Sequence, residues 1–455
     1  MLPSLLRFCL PMLGAQVLSI ALVTVDALVS GRCIGEDALG AISLSHSILF
    51  CVWGIFWGLS SGLSVTIGQF FGAKNEPKMR CAVAHGIMLF LALTAVIMGF
   101  SLPTMRWMLQ LIDTPPELLD YCLDYSYIFV GFLFVGEAFE CEIAILRALG
   151  DAKTQLLLSS AGVFANIVLD LLFILVFRWG VAGAAGATIL TQLIQVLICL
   201  FVMVRSYPIL HLKRADWQIN WRMAWRILSQ GLPMSMNYLI IGIGVMAVQA
   251  ALNNCGSAAV NAAALGGRVT SYAWMPFGVM GSAIATFVAQ NYGANKIPRI
   301  FDGMLKSFWL ELAAWAICVA ILWPCARLLV ICFIKEESST RIIPMAIYYV
   351  RVVLLSMPMI VTLLLFRHTM VGLGHATVSL VGGCVQMVAR CVGSFLLAKY
   401  YGFEGVCFAD LAAWTTESCV TSIAFWRWKR RYEKGLEKGF DAGGENAGHP
   451  SEAGT

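Results

Sequence analysis

Asp26, Asn166, Asp170 and Thr188 each stand inside an otherwise apolar run, as in FANIVLDLLFILVF from Phe164 to Phe177. Two carboxylates, an amide carbonyl and a hydroxyl are hard oxygen ligands. In dry surroundings such a set has two chemistries open to it. It can share a proton between carboxylates that cannot both stay ionised, or it can bind a small hard cation such as Na+ with both ionised. A purely structural reading, polar glue between helices, is the alternative.

A second acidic set, Glu137, Glu140 and Glu142, lies in the run from 122 to 147. Glu137 and Glu140 are three residues apart and share a helix face. Acidic groups at a cleft attract organic cations, and Trp53, Trp57 and Phe139 can add aromatic contacts. Trp53, Glu137, Glu140 and Arg268 are therefore the expected lining of a substrate cavity. The competing roles for these glutamates are ion pairing with arginines such as Arg147 or Arg268, or facing a wet cavity without touching substrate.

The elements that must position these groups follow from composition. Of 455 residues, 59% are hydrophobic and 13% charged, against roughly 25% charged in soluble domains, so the chain reads as an all-α polytopic membrane protein. A span needs about 20 apolar residues. Twelve such stretches are present, near 8–31, 42–68, 81–103, 122–147, 154–177, 182–204, 227–252, 264–290, 304–334, 343–370, 375–398 and 403–426. The first carries no cleavage-site pattern and reads as a retained helix. Arg7 stands near the N-terminus and Lys and Arg cluster in alternate loops and in the tail, while Asp113, Glu117, Asp120 and Asp124 gather on the other side. By the positive-inside rule both termini are cytoplasmic. Counting about 1.5 Å per residue, the four ligand candidates lie at similar depth in the outer half of the bilayer.

The chain repeats itself. A shift of 221 residues lays Trp53, Gln69, Gly72 and Ala73 on Trp274, Gln290, Gly293 and Ala294. At 222, Leu10-Pro11-Met12 meets Leu232-Pro233-Met234, and Gly180 meets Gly402; at 224, Leu149-Gly150 meets Leu373-Gly374. Two pseudo-symmetric six-helix bundles around a central cleft result, with residues 1–204 as the N-terminal lobe and 227–428 as the C-terminal lobe. The basic segment 205–226 is the linker, and 429–455 is a disordered cytoplasmic tail. Such bundles can rock about a central site, which argues transport.

Fifteen scattered cysteines form no C-x-x-C pair and read as packing residues. The absence of a G-x-x-x-x-G-K-[ST] loop, a G-x-S-x-G elbow and an H-E-x-x-H helix excludes a built-in ATPase and these hydrolase classes, so no enzyme activity is expected. The ladder Gly54, Gly58 and Gly62 permits close helix packing. For Pro11 two roles are open, a plain helix start or a conformational bend in span 1. The second half offers almost no intramembrane carboxylates, placing Arg351, Arg367, His368 and Arg390 there instead.

With these residues assembled, the sequence resembles the MATE (multidrug and toxic compound extrusion) family. The resemblance is carried by Pro11, Val25-Asp26 and Gly31; Gln69 with Gly72-Ala73; Leu146-Arg147-Ala148-Leu149-Gly150-Asp151 with Thr154; Asn166 with Asp170; and Gly231-Leu232-Pro233. It extends to about residue 428. It implies a twelve-helix, two-lobe fold that exports amphipathic, usually cationic compounds by antiport with Na+ or H+, with Asp26, Asn166, Asp170 and Thr188 as the N-lobe cation site. The same four would be the metal ligands if Na+ is the coupling ion. No other cofactor is implied. Relatives with acidic residues in spans 7 and 10 differ from this chain, which has Asn237 and Tyr238, then Arg367 and His368, at those places. Coupling through the N-lobe alone is therefore expected.

The alternative is a flippase for a lipid-linked saccharide, with Arg268, Arg351, Arg367 and Arg390 facing a pyrophosphate. A channel or a receptor is a third class; two rigid lobes disfavour the channel, and ligand binding without an accumulated gradient would mark the receptor. The expected partners are small-molecule substrates and the lipid bilayer, with no nucleic acid, and the expected state is a monomer. Short loops suit the plasma membrane of a bacterium, the inner membrane.

Overall fold

The structure, a computed structural model, describes residues 2–34, 36–111, 114–331 and 341–441. Asp113 of the acidic loop and residues 442–455 of the expected tail lie outside them. The described chain is helical: α1 (Leu2–Cys33), α2 (Glu36–Gly72), α3 (Glu76–Leu111), α4 (Pro116–Gly131), α5 (Leu133–Leu149), α6 (Ala152–Asp170), α7 (Gly180–Ser206), α8 (Trp221–Asn254), α9 (Ser257–Gly293), α10 (Ile297–Ile331), α11 (Ile342–Gly372), α12 (Ala376–Cys407) and α13 (Ala409–Asp441). Nine of these, among the described residues, are long and apolar enough to cross a membrane. Helices suit such sequences because lipid offers backbone groups no partner.

The expected fourth span, 122–147, is two helices. Phe132 between α4 and α5 has φ −111° and ψ 20°, off the helical values. Pro11 lies inside α1, beyond its first turn, which sets aside a plain helix start. There proline removes the bond its N–H would make to the Arg7 carbonyl, a known cause of bending.

The two halves repeat down to single backbone dihedrals. Left-handed φ values pair at the same shifts that align the sequence: Lys74 and Asn295 at 55° and 56°, Gly150 and Gly374 at 83° and 90°, Gly180 and Gly402 at 60° and 58°. Glycine stands at four of these six positions because a Cβ is disfavoured at such φ. Gly402 also breaks α12 ahead of the turn into α13.

Each lobe has its own packing: α1 along α6, α2 with α3, α4 and α5, and α5 with α7 in the first; α9 with α11, α12 with α8 and α13, and α11 with α13 in the second. The lobes meet where α2 runs along α8 and crosses α9. The glycine ladder makes this approach feasible. A Cβ at Gly58 would lie 2.2 Å from the Ser235 amide nitrogen, and one at Gly62 2.5 Å from that of Gly231. Ser235 Oγ donates across the seam to the Ile55 carbonyl at 2.6 Å.

At the face carrying the interlobe linker the seam is reciprocal. Gln69 Nε2 donates to the Gly372 carbonyl at 3.0 Å, and its repeat mate Gln290 Nε2 donates to the Ala148 carbonyl at 2.8 Å. Arg226 donates to Gln69 Oε1 at 2.9 Å.

The linker is shorter than 205–226, because α8 already begins at Trp221. Asn220 caps it, accepting from the Arg222 and Met223 amides at 3.1 and 3.2 Å. The intervening chain docks on the first lobe. Arg80 pairs with Asp216 at 3.4 Å, and the Asn220 amide donates to His85 Nε2 at 2.8 Å.

Asp151 caps α6, accepting from the Thr154 amide at 3.1 Å, and takes the Tyr207 hydroxyl at 2.5 Å. Burial alone would raise the Asp151 pKa, but hydrogen bonds from Thr154, Tyr207 and the Lys153 backbone outweigh it and hold the carboxyl below its usual value. With a lowered folded value, this stabilisation is present at neutral pH and lost as pH falls through that value. Asp151→Ala is expected to lower stability by about 1 kcal/mol, a typical N-cap loss, read as an earlier thermal transition in detergent that converges with wild type in acid.

The last helix corrects the expected tail. Residues 429–441 continue α13 because Trp428 and Tyr432 stack on each other at 5.8 Å and pack over Phe425, while Lys429 and Glu433 pair one turn apart at 3.7 Å.

Candidate functional site

A cavity of about 340 Å³ lies inside the first lobe, walled by α1, α2, α4, α5, α6 and α7. Its size falls within the usual small-molecule range of roughly 300–1,000 Å³. The lining brings together five of the expected residues: Trp53, Glu137, Glu140, Asn166 and Thr188. Arg268 is not among them; it is exposed on α9 in the second lobe.

Asn166 is fully buried, and neither amide atom has a hydrogen-bond partner among the described residues. The same holds for Thr191 Oγ1, Gln192 Oε1 and Glu137 Oε2, all of which line the same cavity. Buried polar atoms are nearly always satisfied in folded proteins. Their convergence gives the cavity a polar wall whose atoms a polar or charged ligand, or water, can satisfy. Thr188 Oγ1 turns back to the Ala184 carbonyl at 3.2 Å, a bond that still leaves its lone pairs as acceptors.

Asp170, one helical turn beyond Asn166, is fully buried at the end of α6. It opens directly into a π-helical turn, Leu171–Val176. Such turns are rare and concentrate at functional sites. The side chain of Asp26 lies outside the described residues; the helix that carries it, α1, packs along α6. Among the described residues no three of His, Cys, Asp and Glu converge as a metal site. A cation held here would rely on amide and hydroxyl oxygens beside a carboxylate, which suits a hard ion rather than a transition metal.

Glu140 accepts from Ser60 Oγ at 2.7 Å and faces Arg147 at 3.6 Å. Of the two pairings open to it, the one with Arg147 is present. Trp53 forms one side of an aromatic wall with His46 and Phe129, at centroid distances of 5.6 and 5.8 Å. Among the described residues no lysine or arginine lines the cavity.

Sequence reasoning passed over Thr191, Gln192 and Gln195. With Thr188 they form an i, i+3, i+4, i+7 polar stripe on α7, a pattern legible as one helix face. It also overlooked carboxylates in the second lobe. Glu311 and Glu417 are both fully buried there. Arg367 donates from Nε to Glu417 Oε1 at 2.8 Å, and its Nη2 contacts the same oxygen. Arg390 pairs with Asp410 at 3.0 Å. The expectation of almost no intramembrane carboxylates in this half is thus corrected: α13 supplies partners for arginines of α11 and α12.

Comparison with known proteins agrees with this architecture. The MatE family model matches residues 11–172 and 233–396, one segment in each lobe. The chain is 28% identical over 346 residues to "Probable multidrug resistance protein YpnP" of Bacillus subtilis strain 168, covering 74% of this chain and 76% of that one. It is 23% identical over 423 residues to the multidrug export protein MepA of Staphylococcus haemolyticus, covering 90% of each. A MOP superfamily transporter from Pyrococcus furiosus Vc1 shares the fold, with a TM-score of 0.88 at 20% identity over 95% of this chain and 96% of that one. With one match per lobe and full-length correspondence of fold, the chain belongs to the MATE family of membrane-spanning multidrug efflux transporters.

Proposed function

We propose that this chain exports amphipathic organic cations by antiport with Na+ or H+, coupled at Asp26, Asn166, Asp170 and Thr188 in the first lobe, by alternating access between the two lobes. The observation that carries the substrate class is the lining of the 340 Å³ cavity: Glu137, whose Oε2 has no hydrogen-bond partner among the described residues, and an aromatic wall, with no lysine or arginine among the described lining residues. A cation there gains both charge attraction and ring contacts. The coupling ion belongs beside the unsatisfied amide of Asn166, on the helix that ends in Asp170.

The flippase alternative needs arginines free to meet a pyrophosphate. Arg367 and Arg390 are committed to Glu417 and Asp410, and the Arg351 guanidinium sits 5.1 Å over the Trp323 ring. With two of the four neutralised by carboxylates and a third held against an aromatic ring, the set makes a poor anion cradle.

The test is export of a cationic dye from proteoliposomes under an imposed proton gradient and, separately, an imposed sodium gradient. One of the two gradients is expected to drive wild-type export, and Asp170→Asn to reduce that export at least about tenfold, the equivalent of ~1.4 kcal/mol of coupling. Export driven equally well by the Asp170→Asn and Asp26→Asn proteins would remove the coupling assignment.

A further inference from the structure

A second cavity, about 600 Å³, lies between α3, α5 and α7, with Leu210, His211 and Leu212 of the interlobe linker completing its lining. Its walls are apolar, with Phe90 and Leu91 from α3, Phe134 and Ala138 from α5, and Leu200 and Val204 from α7. Leu91, Phe134, Leu200 and Val204 are exposed, so in a membrane this groove faces lipid. An acyl chain could fill such a groove, but its base is not apolar. Glu137 and Glu142 both reach it.

Glu137 is 4% exposed, and its Oε2 has no hydrogen-bond partner among the described residues. Glu142 takes the Cys199 thiol, while its Oε2 has no such partner there. Of the groove's lining residues only His211 can carry positive charge, and it is engaged with the Val204 carbonyl at 2.9 Å. A buried and a half-buried carboxylate at the end of an apolar, lipid-facing groove are complementary to one kind of occupant, a lipophilic cation with its hydrocarbon outward and its charge inward.

Glu137 lines this groove and the 340 Å³ cavity alike. It stands in the wall the two share. We propose that the groove between α3, α5 and α7 is a lateral access site for lipophilic organic cations, which bind there from the bilayer and are passed at Glu137 to the cavity of the first lobe. This deepens the efflux reading above and relies on it for the passage step, whereas binding in the groove is independent of transport. Glu142, reaching only the groove, sets affinity for the waiting cation; Glu137 serves both chambers.

The test uses full-length protein in nanodiscs with tetraphenylphosphonium as probe and tetraphenylborate, of the same shape and opposite charge, as control. Wild type is expected to bind two phosphonium ions per chain and the borate at least about tenfold more weakly. Ala138→Trp, which fills the groove from α5, should remove one of the two sites. Glu142→Gln should weaken that same site by about tenfold and leave the other; being nearly isosteric, it keeps the test decisive if the tryptophan variant fails to fold. A single wild-type site, equal binding of the borate, or variants matching wild type in stoichiometry and affinity would overturn the groove. Phosphonium binding lost on these substitutions, with no dye export by wild-type vesicles, would instead support the groove and sink the efflux reading alone.

Discussion

Glu417→Gln is expected to destabilise the second lobe by about 3–5 kcal/mol, because it leaves the Arg367 charge buried without its counter-ion. Arg367 and Glu417 are 8% and 0% exposed. Both guanidinium contacts fall on the single oxygen Oε1, and Oε2 has no hydrogen-bond partner among the described residues. On the α12 side the packing is close, since a Cβ at Gly382 would already lie 2.9 Å from Glu417 Cγ. The pair ties α11 to α13 under α12, so its loss should appear as a lower unfolding midpoint of purified protein in detergent. The double variant Arg367→Met/Glu417→Leu should recover most of the loss, because a buried pair replaced by apolar residues is often neutral. A single variant as stable as wild type would show that the pair is hydrated and that the lobe is held otherwise.

The second large effect is expected at the seam. In Gly72→Ala the new Cβ would lie 1.9 Å from the Gln290 carbonyl oxygen, and in Gly293→Ala it would lie 1.9 Å from that of Gln69. Both obstacles are backbone and cannot rotate away. Ordinary contact is about 3.5–4.0 Å, so the helices must separate by on the order of 1.5–2 Å. That motion breaks the reciprocal glutamine bonds. Overpacking of this kind typically costs ~1–3 kcal/mol, and ~1.4 kcal/mol is a tenfold change in population. Either variant should therefore shift the protein toward a form opened at the linker face and slow transport. Electron–electron distance measurements between labels at Lys74 and Asn295, the paired left-handed residues beside the seam, should show a longer mean distance. An unchanged distribution together with normal dye export would mean that this contact is not part of the gate.

Both expectations concern features that pair residues far apart in the chain, and this is where reading by sequence and reading by structure separate. The spans were legible because lipid penalises every unsatisfied backbone group, so apolar stretches of sufficient length must be helices. Internal repetition was legible for a related reason. Gly150 and Gly374, like Gly180 and Gly402, occupy left-handed positions that other residues avoid, so the backbone geometry leaves a trace in residue type. Asn166 and Asp170 could be placed on one face by counting alone. Where one helix ends was less legible. The break at Phe132 and the continuation of α13 past 428 follow from packing against neighbours, as does the shorter linker, tied down by His85 and Arg80.

By itself the sequence determined the all-helical membrane architecture, the two-lobe repeat, and that carboxylates and amides lie within the first lobe, since periodicity and the cost of burying charge are properties of a single strand of residues. Which of those groups meet was decided only by the tertiary structure. Glu137, Glu140, Asn166, Thr188 and the unsuspected Gln192 share one chamber, while Arg367 and Arg390 are drawn to α13 rather than to a substrate. The physical reason is that the net effect of a buried charge depends on its partner. That partner is chosen by helix packing across dozens of residues, which no local pattern encodes.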